Sequence, residues 1–306
     1  MVAVLLLWAA APARAHAIVE STEPAIDEVV PSAPSEIVMH FNEPVEVAFG
    51  AIRAYDTSGD RVDTADVDHV AGDATAVRVG LEPDLPDGTY TVTWRVISAD
   101  SHVIQEAFVF HVGAPGQRPQ GIAQEILRGQ GTGDALVGAL LGIARGIGYA
   151  SLLLLIGAVS FVTLVWRDTE TEDGNGGFLA RRRTLISLAL AAGIVATIAA
   201  LVLQGVHAAG LGLSAALDGD VLRGVVDTRF GRVMGLRALF LLVAAVVWFT
   251  SSTKERSSRA IDASVLVLGV GALVMTAIAG HAGSTDPVPL NVATDVAHLA
   301  AAGIWI

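Results

Sequence analysis

Thr89-Tyr90-Thr91-Val92-Thr93-Trp94-Arg95-Val96-Ile97 decides the fold of the first third of this chain. Apolar and aromatic residues alternate with Thr and Arg, the period of a strand rather than of a helix. Pro86-Asp87-Gly88 sets a turn in front of it, and Ser98-Ala99-Asp100-Ser101-His102 carries the chain into a loop behind it. Further strand-like runs stand at Glu36–Phe41, Val45–Tyr55, Ala76–Val79 and Ala107–Val112. Ser58-Gly59-Asp60 and Ala71-Gly72-Asp73 supply turns between them. Short strands with regular turns over a usual domain length predict an all-β sandwich.

The rest of the chain is different in kind. Of 306 residues, 53% are apolar and 16% charged, and the mean hydropathy is positive. That is too apolar for an ordinary soluble protein. From His16 to Asp134 there are 20 Asp/Glu against 6 Lys/Arg, whereas beyond Asp134 come apolar runs of membrane-spanning length. The acidic part argues against nucleic acid as a partner and attracts cations weakly, although solubility alone accounts for it as well. There is no cysteine. Disulfides, thiolate metal sites and Fe–S clusters are therefore excluded, and a metal would have to use nitrogen, oxygen or thioether ligands.

The apolar run Val2 to Ala11 ends in Ala13-Arg14-Ala15, the small-x-small pattern that signal peptidase cleaves. Residues 1–15 are thus expected to be a signal peptide, although the usual basic residues before its apolar core are missing, so the start reads as incomplete. Cleavage after Ala15 makes His16 the N-terminus. Residues 114–134, rich in Gly, Pro and Gln, read as a linker. An α-helical multi-pass membrane domain is expected over 135–306, with five apolar segments at about 136–166, 184–208, 233–251, 260–281 and 291–306. Arg167 and Arg181-Arg182-Arg183 fall in the first inter-helix loop of this reading, and Lys254, Arg256 and Arg259 in the third. The positive-inside rule makes those loops cytoplasmic and the β domain extracytoplasmic, as a signal peptide requires. The expected loop 209–232 carries Arg223, Arg229 and Arg232 on the outer side, offset by Asp218, Asp220 and Asp227.

Two places can carry metal chemistry. The α-amine and imidazole of an N-terminal His16 chelate one ion, and Asp100-Ser101-His102 places a carboxylate and an imidazole on one side of an extended backbone. Amine N, imidazole N, carboxylate O and imidazole N together suit square-planar or tetragonal Cu(II). A loop Asp-x-His alone is a weak signal and more often does nothing. In the membrane part, His207 ends the second segment, His281 the fourth, and Asp295 and His298 begin the fifth on one helix face. Ionisable groups at membrane depth are costly and are functional candidates, here a relay at the outer mouth, against the plain reading that helix ends meet headgroups and water. His40, His69 and His111 have no ligand-spaced partner and read as structural or solvated. Arg145 inside the first segment calls for a buried acid or carbonyl that the sequence does not name.

His16-Ala17, Ser21-x-Glu23-Pro24-Ala25, Phe41-Asn42-Glu43-Pro44-Val45, Leu85-Pro86-Asp87-Gly88-Thr89-Tyr90 and Trp94 to His102 resemble, in order, the CopC family of extracytoplasmic copper-binding proteins. The resemblance covers 16–113 and implies a seven-stranded Greek-key sandwich binding Cu(II) through His16, Asp100 and His102. The family usually has Gly where Ser101 stands. Some members carry a Met-rich Cu(I) site, but Met39 is the only methionine between His16 and Asp134, so that site is not expected here. Gly280-His281-Ala282 and Asp295-x-x-His298-Leu299-Ala300-Ala301-Ala302-Gly303-Ile304-Trp305 resemble the CopD family, often fused behind CopC. That family has about eight helices, so a truncated membrane domain is expected.

The expected function is therefore copper ion binding by an extracytoplasmic domain, and delivery to a plasma-membrane domain for uptake. The partners would be the copper ion, the lipid bilayer and an extracytoplasmic copper donor. No nucleotide-binding motif is visible, so ATP hydrolysis on this chain is not expected to drive transport, and the chain does not read as an enzyme. Three alternatives are copper resistance by sequestration or export, a copper redox enzyme built on the histidine chelate, and a cytochrome with haem held by His207, His281 or His298.

Overall fold

The structure, a computed structural model, describes residues 16–47, 51–114, 134–165, 175–251 and 259–305. The expected leader 1–15 and residues 115–133 of the expected linker lie outside the described residues. The chain divides into two compact units, a β domain and a helical domain.

Eight strands form the β domain among the described residues: β1 (Val19–Glu23), β2 (Val29–Val30), β3 (Glu36–Phe41), β4 (Ile52–Tyr55), β5 (Asp68–Val70), β6 (Asp73–Gly80), β7 (Gly88–Ile97) and β8 (Val103–Val112). They make two four-stranded sheets, β1-β3-β6-β5 and β2-β8-β7-β4. This is the expected sandwich, with one strand more than the resemblance implied because the two-residue β2 pairs with β8. The inner strands β3, β6, β7 and β8 are the ones legible in the sequence. The strands it does not announce, β1, β2 and β5, are edge strands. β1 buries only Thr22 of its five residues and the other two have no fully buried residue, so hydrophobic alternation is weak there. The expected run Val45–Tyr55 is divided. Glu46 makes an isolated bridge to Ile97, and β4 begins only at Ile52.

Apolar residues from both sheets interdigitate in one core, which includes Ile37, Met39, Phe41, Ile52, Val79, Val92, Trp94 and Phe110. The Phe41 and Trp94 rings meet edge to face at 5.6 Å and the Tyr90 and Phe110 rings stack at 5.3 Å. Aromatic pairs of this kind add about 0.5–1.5 kcal/mol each beyond area burial. Met39 lies fully inside this core, so its thioether is a packing group.

The helical domain contains α1 (Asp134–Ser160), which runs on through a π turn to Val165, α2 (Asn175–Ala209), α3 (Gly219–Asp227), α4 (Arg229–Ser251), α5 (Arg259–Ala279) and α6 (Val288–Trp305). Four of these, α1, α2, α4 and α5, are long and apolar enough to cross a membrane. Small residues allow close approach between helices. A Cβ on Gly157 of α1 would stand 2.1 Å from the carbonyl oxygen of Gly303 in α6, a crossing that only glycine permits.

Three expectations about the helices are corrected. The loop 209–232 contains α3, capped at its N-terminus by Asp218, whose side chain accepts from the N–H groups of Asp220 and Val221. Val221 and Val225 of α3 pack against Gly205 of α2. Arg181-Arg182-Arg183 are not in a loop but in the second and third turns of α2, for arginine is a good helix former. Arg182 is buried there, ion-paired and hydrogen-bonded to Asp262 of α5, with its guanidinium over the Trp248 ring at 5.4 Å. Finally, α6 begins at Val288, so Asp295 and His298 lie two turns inside it rather than at its start.

The buried Arg182–Asp262 pair makes a test of charge in the bundle. Asp262→Ala strands a buried guanidinium and should cost about 3–5 kcal/mol, whereas the double change Arg182→Met/Asp262→Leu should recover most of that loss. Thermal unfolding of the detergent-solubilised variants checks this, and equal losses in single and double variants would refute it.

Candidate metal centre

The site of the β domain is built on the β7–β8 hairpin. Ser98 N–H donates to the His102 carbonyl at 2.8 Å, and Ser101 N–H donates to the Ser98 carbonyl at 2.9 Å. Three residues, Ala99, Asp100 and Ser101, close this loop, and Ser101 takes φ +72°. A short turn followed by one left-handed residue is a common three-residue hairpin connection. The extended backbone expected for Asp100-x-His102 is therefore replaced by a turn. Asp100 and His102 converge because the loop curls, and His102 N–H donates to Asp100 Oδ1 at 3.1 Å.

The same loop fixes the carboxylate. The Asp100 side chain has 0% exposure, and Oδ1 also accepts from Ser98 Oγ. Burial alone would push the Asp100 carboxyl up. Hydrogen bonds from the His102 ring, Ser98 Oγ and His102 N–H, together with the charge of His102, outweigh it and hold Asp100 well below the usual carboxylate range. The second oxygen, Oδ2, faces two imidazoles: His16 Nδ1 at 3.2 Å and His102 Nδ1 at 3.0 Å. The two rings lie edge to face with centroids 4.7 Å apart.

His16 is brought there by anchoring of the first residues. Ala17 is buried in the sandwich core. Ile18 N–H donates to Asn42 Oδ1 at 2.6 Å, and Asn42 N–H donates back to the Ile18 carbonyl at 3.1 Å. Beside Asn42, Glu43 Oε1 accepts from Ala99 N–H at 3.3 Å, tying the segment after β3 to the metal loop. Burial raises the Glu43 carboxyl above its ordinary value and the neighbouring Asp100 charge adds to it, against the opposing hydrogen bond from Ala99 N–H. Asn42, Glu43 and Ser98 were not singled out from sequence as parts of the site. Their only signal was membership in the Phe41 to Val45 and Trp94 to His102 motifs.

One donor atom from each of His16, Asp100 and His102 lies within 4.8 Å of the others. Nitrogen and oxygen ligands sit about 2.0–2.1 Å from a first-row metal, so adjacent corners of a square plane stand roughly 2.9 Å apart and opposite corners roughly 4.1 Å. The 3.0 and 3.2 Å edges fit two adjacent pairs that share Asp100 Oδ2. The donor set suits a borderline metal, and both imidazoles are about half exposed, so an ion can enter from solvent.

Two other histidines of the β domain are occupied. His69 Nε2 bonds the Val45 carbonyl at 2.8 Å, and the buried His111 shares a 2.9 Å bond between its Nδ1 and Thr89 Oγ1. In the helical domain, His207 lies in the last turn of α2 against Gly138 of α1. His281 lies just past α5, opening a one-turn helix rather than ending α5 itself. Asp295 is half-buried and His298 exposed on α6. Among the described residues, His207, Asp295 and His298 form no three-ligand group of the kind found in the β domain.

Residues 19–113 match the CopC domain model, and residues 135–289, about half the chain, match the model described as copper resistance protein D-like, N-terminal domain. The chain belongs to the copper resistance protein D-like family. It carries a CopC domain in front of that family's membrane part. Among curated relatives, the copper transport protein CutJ of Bacillus subtilis is 28% identical over 95% of this chain and 52% of its own length. The chain thus spans about half the length of that relative. Protein YobA of Escherichia coli is 32% identical, over 32% of this chain and 79% of its own. The copper resistance protein C of Escherichia coli is 32% identical over 35% of this chain and 90% of its own. The chain is thus copper-related, with four helices long and apolar enough to cross a membrane.

The turn explains the glycine expected at position 101. A residue at φ +72° pays roughly 1–2 kcal/mol for its Cβ, which glycine avoids. Ser101→Gly should therefore raise the thermal midpoint of the β domain and Ser101→Val should lower it, by an order of 1 kcal/mol each way. Calorimetry of the two variants checks the order, and a more stable valine variant would contradict it.

Proposed function

We propose that the β domain captures Cu(II) on the extracytoplasmic side and passes it to the helical domain for uptake across the plasma membrane. The observation that carries this is the convergence of the His16, Asp100 and His102 donors on one point, with the carboxylate buried and held ionised. Removal of residues 1–15 adds the fourth ligand. The freed amine of His16 closes a six-membered chelate with Nδ1, the ring nitrogen that faces Asp100. Two neutral imidazoles, one amine and one carboxylate favour Cu(II) over softer Cu(I). CutJ is named a copper transport protein, which supports movement of copper by this chain without giving its direction. The name copper resistance protein C favours a second reading, resistance by sequestration or export. Copper accumulation in a deletion strain separates the two, since only an importer's loss lowers cellular copper. His207, His281, Asp295 and His298 are proposed as polar stations in the helical domain, and an extracytoplasmic copper donor as the partner upstream.

Cu(II) titration followed by EPR tests the site on the 16–113 domain, comparing an authentic His16 start with one bearing an additional N-terminal residue. The extended form should bind substantially more weakly, and equal binding by both would sink the amine chelate. Asn42→Ala should weaken binding by about 10–100-fold by releasing the N-terminal segment, as loss of outer-sphere support does at other metal sites.

A further inference from the structure

Within the helical domain, Arg237 is placed differently from every other arginine described. It sits in the third turn of α4 with 4% exposure, and its Nε and Nη2 have no hydrogen-bond partner among the described residues. Nη2 lies against α1 in the notch left by Gly148, where a Cβ would stand 2.6 Å away. One turn back on α1, Arg145 donates to Gln204 Oε1 of α2 at 3.0 Å and lies over the Phe230 ring of α4 at 5.5 Å. One turn on, Ser151, Gly193 and Leu241 close the same seam. Arg145 and Arg237 therefore reach the α1–α4 seam one turn apart along α1, with Phe230 and Arg237 seven residues apart on one face of α4.

These helices offer Arg237 no counter-charge. Beyond Asp134, α1 has no acidic residue, and neither α2 nor α4 has one at all. A guanidinium at membrane depth is costly without a counter-charge. The two nitrogens left over also have a defined shape. Nε and Nη2 form the side-on edge of the guanidinium, the edge with which Arg61 of the β domain grips Asp63, Nε to Oδ2 at 2.8 Å and Nη2 to Oδ1 at 2.6 Å. That fork takes two oxygens of one group.

We propose that the α1–α2–α4 seam is a binding site for a small free oxyanion, a carboxylate or phosphate, held side-on by Arg237 and faced by Arg145. The fork excludes a halide as the preferred ligand, since one atom cannot meet both donors. Burial and depth exclude a lipid headgroup: Arg237 is eight residues into α4, about 12 Å from its start at 1.5 Å per residue. The site is independent of the copper reading, and it stands or falls without it.

The test is thermal unfolding of the full chain in a non-ionic detergent, titrated with inorganic phosphate and with acetate, with chloride at equal ionic strength as control. A ligand at about 100 times its dissociation constant should raise the midpoint by several degrees. Phosphate or acetate should do so, and chloride should not. Arg237→Gln should abolish the shift, and Arg237→Lys, which keeps the charge but loses the fork, should reduce it. Because Arg237→Gln also changes the baseline, the ligand-induced shift is read rather than the midpoint. Should that variant not fold, Gly148→Ala, which crowds Nη2, should weaken the response. No shift in the native chain, an equal shift with chloride, an undiminished shift in Arg237→Gln, or a shift only with phosphatidic acid in mixed micelles would each overturn the proposal.

Discussion

A buried carboxylate shared by two imidazoles is the interaction on which the metal centre depends. Asp100 has no solvent to satisfy it, so its ionised state is maintained by the loop itself: Ser98 Oγ, His102 N–H and the His102 ring. Burial opposes the charge and hydrogen bonding favours it, and the second wins by enough to depress the carboxyl. The consequence is a fixed negative donor at the base of a half-open pair of histidines. A cation arriving there meets an anion that needs neither deprotonation nor large rearrangement.

The sandwich exists, from this viewpoint, to hold two chain segments far apart in sequence in one place. The β7–β8 hairpin supplies Asp100 and His102, and its register is fixed along ten paired residues from Gly88↔Val112 to Ile97↔Val103. The first residues supply His16, and a free chain end would fray without anchors. Ala17 in the core and the reciprocal Ile18–Asn42 bonds are those anchors. Glu43 joins the two halves by accepting from Ala99. A terminal residue can act as a ligand here because the next two residues are tied down.

Much of this was readable in the sequence, and what was not has a physical reason. The inner strands announced themselves because both sheets bury their alternating residues against one core. The edge strands β1, β2 and β5 did not, since their pairing is carried by backbone hydrogen bonds that leave little trace in side-chain pattern. His16, Asp100 and His102 could be named from residue type, but the convergence of the last two was expected from an extended chain. It comes instead from a left-handed Ser101, a conformation that periodicity does not reveal. Three consecutive arginines have the pattern of a cytoplasmic connection, yet Arg182 lies inside α2. Its partner Asp262 is 80 residues away, beyond any spacing rule.

The three arginines inside the helical domain show how an apolar bundle settles charge. Arg182 has an acid of its own, Asp262, and an aromatic face, Trp248, whose Nε1 is in turn held by Ser187 at 3.1 Å. Arg145 donates to the amide oxygen of Gln204 and lies over the Phe230 ring. Arg237 has its side chain buried as deeply as Arg182, yet neither its own helix α4 nor α1 beyond Asp134, against which it packs, offers a carboxylate. A packed bundle gains nothing from a buried charge that a leucine of similar length would not supply more cheaply. The distinction between Arg182 and Arg237 is thus one of purpose: the first is answered within the fold, and the second is presented to a ligand.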